Sequence, residues 1–150
     1  MERTLIILKP DAVQRRLVGE ITSRFERKGL RVAALKLMKI STELAERHYA
    51  PHKGKGFYKS LIQFMTSEPV VAMVLEGHKA VDVCRKLMGK TFGYDAEPGT
   101  IRGDFGISNQ FNLVHGSDSA DTARREVELF FTPAEIHTYK LADDVWHAAE

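Results

Sequence analysis

Two short, almost wholly apolar runs, Thr4–Lys9 and Val70–Leu75, set the frame into which the rest of this chain must fold. Each falls far below the roughly 20 residues that a membrane-spanning helix needs. Continuous apolar runs of that length read as central, buried strands. Arg31–Ile40 is longer and more alternating, with Lys36 and Lys39 among apolar neighbours. Phe111–Val114 is a short fourth strand that leads into His115.

Helical periodicity fills the gaps. Val18–Lys28 sets Leu17, Ile21 and Phe25 on one stripe, and Gly29 stops it. Thr42–His48 opens after Ser41 and ends before Pro51. Phe57–Thr66 aligns Phe57 and Leu61 with Phe64 or Met65, and Lys79–Met88 aligns Ala80, Val83, Cys84 and Leu87. Ser119–Phe130 turns Ala123, Val127 and Phe130 inward, and Thr132-Pro133-Ala134-Glu135 has capping-box spacing for a last short helix. The order is βαββαβ with extra helices. It predicts an α+β, ferredoxin-like sandwich: a four-stranded antiparallel sheet with helices on one face and a C-terminal helical tail. One long segment, residues 89–110, reads as an irregular loop, and loops of that length are usually functional. No repeat, linker or low-complexity stretch interrupts the pattern, so residues 1–150 read as one domain.

Composition narrows the function. With 43% hydrophobic and 28% charged residues the chain suits a soluble globular protein rather than a disordered one. A net charge of +2, with the basic residues scattered, gives no argument for nucleic acid or an acidic membrane as partner. The lone Cys84, on the apolar stripe of a helix, rules out an internal disulfide and fits a reducing compartment. No targeting segment is visible, since Leu5–Leu8 is stopped at once by Lys9-Pro10-Asp11, and the expected location is cytoplasmic.

The chemistry concentrates in Asn112-Leu113-Val114-His115-Gly116-Ser117-Asp118-Ser119. A histidine closes an apolar run, a glycine lets the backbone turn, and residues that favour helix caps follow. An imidazole at such a strand–turn–helix junction lies near amides that attract phosphate. Taken alone, His115 is either a hydrogen-bonded structural residue or a nucleophile. Two other strings are decoys. Gly89-Lys90-Thr91 imitates the end of a P-loop, but Cys84 stands where the first glycine is needed, on a helix instead of after a strand. Asp104-Phe105-Gly106 imitates a protein-kinase magnesium motif without the rest of that set. A protein metal cage is not expected from His48 and His52, because Pro51 breaks the helix that would align them.

The Asn112–Ser119 string resembles the active-site signature of the nucleoside diphosphate kinases. Similar blocks occur at Leu8-Lys9-Pro10-Asp11, His48-Tyr49, Gly54-Lys55-Gly56-Phe57 and Pro98-Gly99-Thr100-Ile101-Arg102-Gly103-Asp104-Phe105, in the family's order and with its spacing. The resemblance extends over nearly the whole chain. It implies that His115 attacks the γ-phosphorus of a nucleoside triphosphate and becomes phosphohistidine, then passes the phosphoryl group to any nucleoside diphosphate. ATP and GTP are implied donors; ADP and GDP are implied acceptors. Glu126 is the implied acid that orients the imidazole; otherwise it is a solvated helix-face glutamate. Arg85, Thr91 and Arg102 are the implied phosphate binders, although Arg85 would otherwise pass as an ordinary surface charge. Lys9 would contact ribose and the transferring phosphate, Asn112 the ribose 3′-hydroxyl, and Tyr49 the phosphoryl path. Phe57 would stack on the base with Leu61 beside it, a contact tolerant of base identity. Without the resemblance, Phe57 would read as core. Asn109 departs from the family, where many relatives place an apolar residue against the base.

Mg2+ is implied as a cofactor carried by the nucleotide phosphates, touched at most by Asp118 through water. Ser117 reads chiefly as a turn and cap residue. A nucleotide-binding regulatory protein is a rival reading, but such a descendant would lack some of these residues. A histidine phosphocarrier is another, but it would leave Lys9, Phe57, Arg85 and Arg102 without purpose. The one-sided sheet, the glycine-rich 89–110 segment and the apolar tail (Ile136, Tyr139, Leu141, Val145, Trp146) point to self-association, as a homohexamer rather than a tetramer.

Overall fold

A computed structural model describes residues 1–148, and the two apolar runs become the inner strands of its sheet. In chain order the elements are β1 (Glu2–Leu8), α1 (Pro10–Gln14), α2 (Val18–Arg27), β2 (Arg31–Met38), α3 (Thr42–His48) and α4 (Tyr58–Met65). They continue as β3 (Val70–Gly77), α5 (Ala80–Met88), α6 (Ile101–Phe105), β4 (Val114–Gly116), α7 (Ala120–Phe130) and α8 (Asp144–His147). The sheet order is β2-β3-β1-β4, antiparallel throughout. This is the expected ferredoxin-like arrangement.

Strand alternation splits the inner strands between two cores. Ile6, Leu8, Val71, Met73 and Leu75 face one side; Leu5, Ile7, Val70, Ala72 and Val74 face the other. Burying such side chains stabilises the fold by about 1.5–3 kcal/mol each. Helices cover both faces, not the single face expected. Ile21 and Phe25 of α2, Ala80, Cys84 and Met88 of α5 and Ile101 of α6 pack on the first. Ala45 of α3, Met65 of α4, and Val127 and Phe130 of α7 pack on the second. The helices that looked like additions to the βαββαβ core carry apolar stripes of their own, and these complete the second layer.

Local chemistry sets most boundaries. At the end of α2 the amide of Leu30 donates to the Phe25 carbonyl (3.3 Å) and that of Gly29 to the Glu26 carbonyl (2.9 Å), with Gly29 at φ +105°. That paired pattern is a Schellman stop, and its left-handed residue favours glycine. Ser41 caps α3 by accepting from the Leu44 amide.

Three sequence expectations change. Residues 89–110 are not irregular: a 3-10 turn spans Gly93–Asp95, and α6 begins after Thr100, whose hydroxyl accepts from the Gly103 amide. Thr132–Glu135 forms its capping box, but around a 3-10 turn (Pro133–Glu135), and the tail's helix comes later as α8. The tail also packs partly on its own chain. The His137 amide donates to the Ala33 carbonyl, Arg31 donates to the Tyr139 carbonyl, and the Tyr139 hydroxyl donates to the Val32 carbonyl. Val145 and Trp146 remain 72% and 82% exposed.

The third change concerns β4. The strand begins at Val114 and runs through His115 to Gly116, so Gly116 is not a turn. Its missing side chain serves packing instead: a Cβ there would meet Met88 Sδ at 2.5 Å and Ile6 Cδ1 at 3.2 Å. Gly116→Ala should therefore destabilise the protein by about 1–3 kcal/mol through overpacking, measured by urea unfolding. Met88→Ala in the same chain should recover part of the loss. A wild-type midpoint for Gly116→Ala alone would contradict this account.

Candidate active site

The phase of β4 decides which way the histidine faces. His115 pairs with Ile7 and therefore shares that residue's face, toward α3 and α7, while Val114 enters the opposite core. Just before the strand, Leu113 stands at φ +74°, and the Val114 amide donates to the Asn112 carbonyl at 2.8 Å across it. This is a γ-turn of the strained, positive-φ kind. Its surroundings hold it. Asp11 accepts from the Leu113 amide (3.1 Å), the Lys9 amide donates to the Leu113 carbonyl (2.8 Å), and the Leu113 side chain is fully buried.

Arg102 braces the same turn. It stands on α6, not in a loop, and is buried. Its Nε donates to the Asn112 carbonyl (3.1 Å), Nη1 to Gly89 (3.0 Å) and Nη2 to Val114 (2.6 Å). Two of the five guanidinium N–H donors remain for a ligand. Burial, and then the Arg85 charge, pull its pKa down to about 10.

Around the imidazole the partners are few and close. His115 Nε2 lies 3.0 Å from Glu126 Oε1, and the Ser117 hydroxyl donates to the same oxygen at 2.6 Å. A carboxylate only accepts, so this contact puts the ring's N–H on Nε2 and leaves the lone pair on Nδ1. Burial pushes the Glu126 carboxyl up, but the hydrogen bond and charge of His115 and the Ser117 hydrogen bond outweigh it and hold the pKa at about 2. His48 stacks edge-on against His115 with centroids 4.7 Å apart. Burial, and then the neighbouring His115 charge, bring its pKa down to about 3, which leaves it neutral at pH 7.

Opposite these groups, the Lys9 ammonium donates to Asn112 Oδ1 (2.8 Å), and Asn112 Nδ2 donates to the Thr91 carbonyl (3.0 Å). Burial, then the Arg102 charge, lower the lysine to about 8 against the pull of Asp11. Arg85 donates to the Gly116 carbonyl (3.1 Å). Phe57 is the N-cap residue of α4 and not part of its buried face. It is 51% exposed, with the Lys55 ammonium 5.8 Å from its ring centroid.

A cleft of about 850 Å³ is lined by all the residues singled out in the sequence: Lys9, Tyr49, Phe57, Leu61, Arg85, Thr91, Arg102, Asn112, His115, Asp118 and Glu126. Lys9, Arg85, Arg102 and Arg125 line the same cleft as the imidazoles of His48, His52 and His115. A larger depression of about 1760 Å³ runs along Arg3, Arg31, Glu76 and the tail. There the charges pair with one another, Arg3 with Glu76 at 2.7 Å and Arg31 with Glu76 at 3.3 Å.

The model of the nucleoside diphosphate kinase family matches residues 2–136. The chain belongs to that family. It is 54% identical to the nucleoside diphosphate kinase of Listeria monocytogenes serotype 4a (strain HCC23), over 97% of this chain and 99% of that protein. It is 56% identical to the one from Thermomicrobium roseum, over 97% and 98%. Among solved structures, a halophilic nucleoside diphosphate kinase from Halobacterium salinarum in complex with CDP superposes with a TM-score of 0.96 at 47% identity, covering 99% of each chain.

Within this family framework, three groups carry more of the site than the sequence suggested. Ser117 does not cap α7; Ser119 does, accepting from the Thr122 amide. Ser117 instead extends the pairing with Leu5 and fixes Glu126. Asp11 secures the γ-turn, and His48 flanks the imidazole. No spacing rule connects residues 48, 115 and 126, which come from α3, β4 and α7; the signal was only that His48 lies in a block resembling the family.

The Glu126 shift fixes a pH dependence. A carboxyl held at about 2 in the fold against an ordinary 4.5 stabilises the protein above pH 4.5, and that contribution is lost as pH falls toward 2. Glu126→Gln should cost about 1–3 kcal/mol at pH 7. The difference from wild type should shrink between pH 4.5 and 2, as read from chemical unfolding at each pH. A constant difference across that range would exclude an ionised Glu126 held by these hydrogen bonds.

Proposed function

We propose that the chain, as one domain over residues 1–150, moves the γ-phosphoryl group of a nucleoside triphosphate to a nucleoside diphosphate through a phosphohistidine on His115. The observation that carries this reading is the Glu126–His115 contact, because it leaves Nδ1 unprotonated beside a cationic cleft. In the first half-reaction Nδ1 attacks the γ-phosphorus in line, the N–P bond forms, and the nucleoside diphosphate leaves. In the second half, the β-phosphate oxygen of an acceptor diphosphate takes the phosphoryl group and frees the imidazole. Neither half needs a proton acceptor at Nδ1, and Glu126 steadies the ring as positive charge develops on it.

Positioning supplies the rest. Arg85, Thr91 and the remaining donors of Arg102 hold phosphate oxygens. Lys9 bridges ribose and the transferring group, and Asn112 takes the 3′-hydroxyl. Tyr49 bounds the phosphoryl path, its phenol kept protonated by burial and by the Glu126 carboxylate. Phe57 stacks on the base beside Leu61 and reads no base edge, which supports low base specificity; Asn109 lines the same cleft and leaves the opposite side of the base polar.

Mg2+ fits as a passenger on the nucleotide phosphates, where it neutralises charge. Asp118 and Glu126 are the acidic residues on the cleft wall, and Asp118, exposed, suits contact through water. ATP and GTP serve as donors, ADP and GDP as acceptors, and no nucleic acid is required. No helix among the described residues is long and apolar enough to cross a membrane. A cytoplasmic setting accords with the free, buried Cys84, whose thiol burial raises to about 12.

Incubation with γ-labelled ATP tests the chemistry. Wild type should acquire acid-labile label that a chase moves to ADP, GDP and CDP alike but poorly to their 2′,3′-dideoxy forms. His115→Ala should lose labelling and at least about 10³-fold in kcat while still binding nucleotide. Label retained by His115→Ala would remove His115 from the mechanism, and strong choice among bases would remove the stacking model.

The proposed assembly is a homohexamer. Exposed Leu35 and Leu37 on the edge strand β2, together with Val145 and Trp146 of the tail, support self-association. Sedimentation equilibrium should give six copies for the intact chain and fewer after truncation at Thr132. A monomer in both would refute self-association, and a tetramer would refute the hexamer alone.

A further inference from the structure

We propose that His48, His115 and Glu126 form an inhibitory binding site for Zn2+. The proposal rests on the reading of His115 as the phosphoryl-accepting residue, and it adds a second ligand for the same imidazole.

One ring nitrogen from each histidine and one oxygen from the glutamate lie within 4.8 Å of one another. His115 Nε2 is 3.0 Å from Glu126 Oε1, and His48 Nδ1 is 3.6 Å from Glu126 Oε2. A tetrahedral Zn2+ with bonds of about 2.0–2.1 Å sets its ligand atoms roughly 3.4 Å apart. The two contacts reach different oxygens of the Glu126 carboxylate, and the three ligand atoms span up to 4.8 Å, so the His48 ring must move inward by about 1 Å or more to close a tetrahedral site. Two imidazoles and one carboxylate, with a fourth position left for water or a phosphate oxygen, make a donor set that suits zinc. It does not suit Mg2+, which takes oxygen ligands in octahedral array.

An independent observation points to a ligand here. The His48 side chain is 1% exposed, and neither of its ring nitrogens has a hydrogen-bond partner among the described residues. Buried polar atoms rarely go unpaired, and those that do call for an explanation. At 3.6 Å the Glu126 oxygen is too far to serve as partner.

The inhibitory effect follows from the tautomer. In the metal-free site the Glu126 contact calls for an N–H on Nε2, so a His115 ring that carries a single N–H carries it there. Coordination through Nε2 moves that proton to Nδ1; no proton is gained or lost, but the attacking lone pair disappears. Zn2+ therefore blocks phosphorylation by occupying the far side of the nucleophile, without competing for the Mg2+ on the nucleotide.

The test uses the full chain with Zn2+ alone, free of nucleotide and Mg2+, in equilibrium dialysis; Co2+ serves as the spectroscopic probe. Wild type should bind Zn2+ and give the intense visible bands of four-coordinate Co2+. His48→Phe and, as a milder replacement, His48→Asn should each weaken Zn2+ binding tenfold or more. Zn2+ added before γ-labelled ATP should suppress wild-type labelling, and chelation should restore it. Binding equal in wild type and in folded His48 variants overturns the proposal, as does a weak octahedral Co2+ spectrum in wild type, which needs no variant to fold. If metal-free wild type takes no label at all, the phosphohistidine reading fails instead; label that forms and is indifferent to Zn2+ overturns only the inhibitory site.

Discussion

The whole active region depends on one strained residue. Leu113 adopts a left-handed backbone conformation while its side chain is driven into the core. A glycine would relieve the strain and leave a hole where a leucine now packs. The γ-turn at Leu113 delays the start of β4 by several residues and fixes its phase against β1. Had the ladder begun one residue out of step, His115 would point into the core of Ile6 and Leu8 and Val114 would line the cleft. Four separate groups oppose relaxation of the turn: the carboxylate of Asp11, the backbone of Lys9, the guanidinium of Arg102 and the packing of Leu113 itself.

With that phase set, the chemistry needs little more than proton accounting. Glu126 is buried yet ionised because two donors converge on a single one of its oxygens. A third group, His48, faces its other oxygen without bonding to it. The result is an imidazole held on one side and open on the other, flanked by a second imidazole that burial keeps neutral.

Much of this was legible in the sequence, and the omissions have specific causes. The inner strands were plain because Leu5–Leu8 and Val70–Leu75 are buried on both faces and tolerate no polar interruption. Helix α2 was plain because Ile21, Phe25 and Gly29 fall at periodic and capping positions. Strand β4 was misplaced because Phe111, Leu113 and Val114 look like a strand, and nothing in residue type announces a positive φ at leucine. Helix α6 was missed because two glycines obscure a single turn; Gly103 is there to let the Glu97 carbonyl pass, not to loosen the chain. Every nominated site residue reached the cleft, since the family pattern encodes a three-dimensional arrangement that local periodicity cannot. Its limits appear at Ser117 and His48, whose neighbours are remote in sequence.

The three carbonyl bonds of Arg102 have a mechanical consequence. They rivet the 89–110 segment to β4 and the turn before it, so that side of the cleft is braced as one unit. The opposite lip, residues 53–57, is exposed, with Gly54 and Gly56 on either side of Lys55. A cleft braced in this way keeps Lys9, Arg102 and Asn112 in register with His115 whatever the exposed lip does.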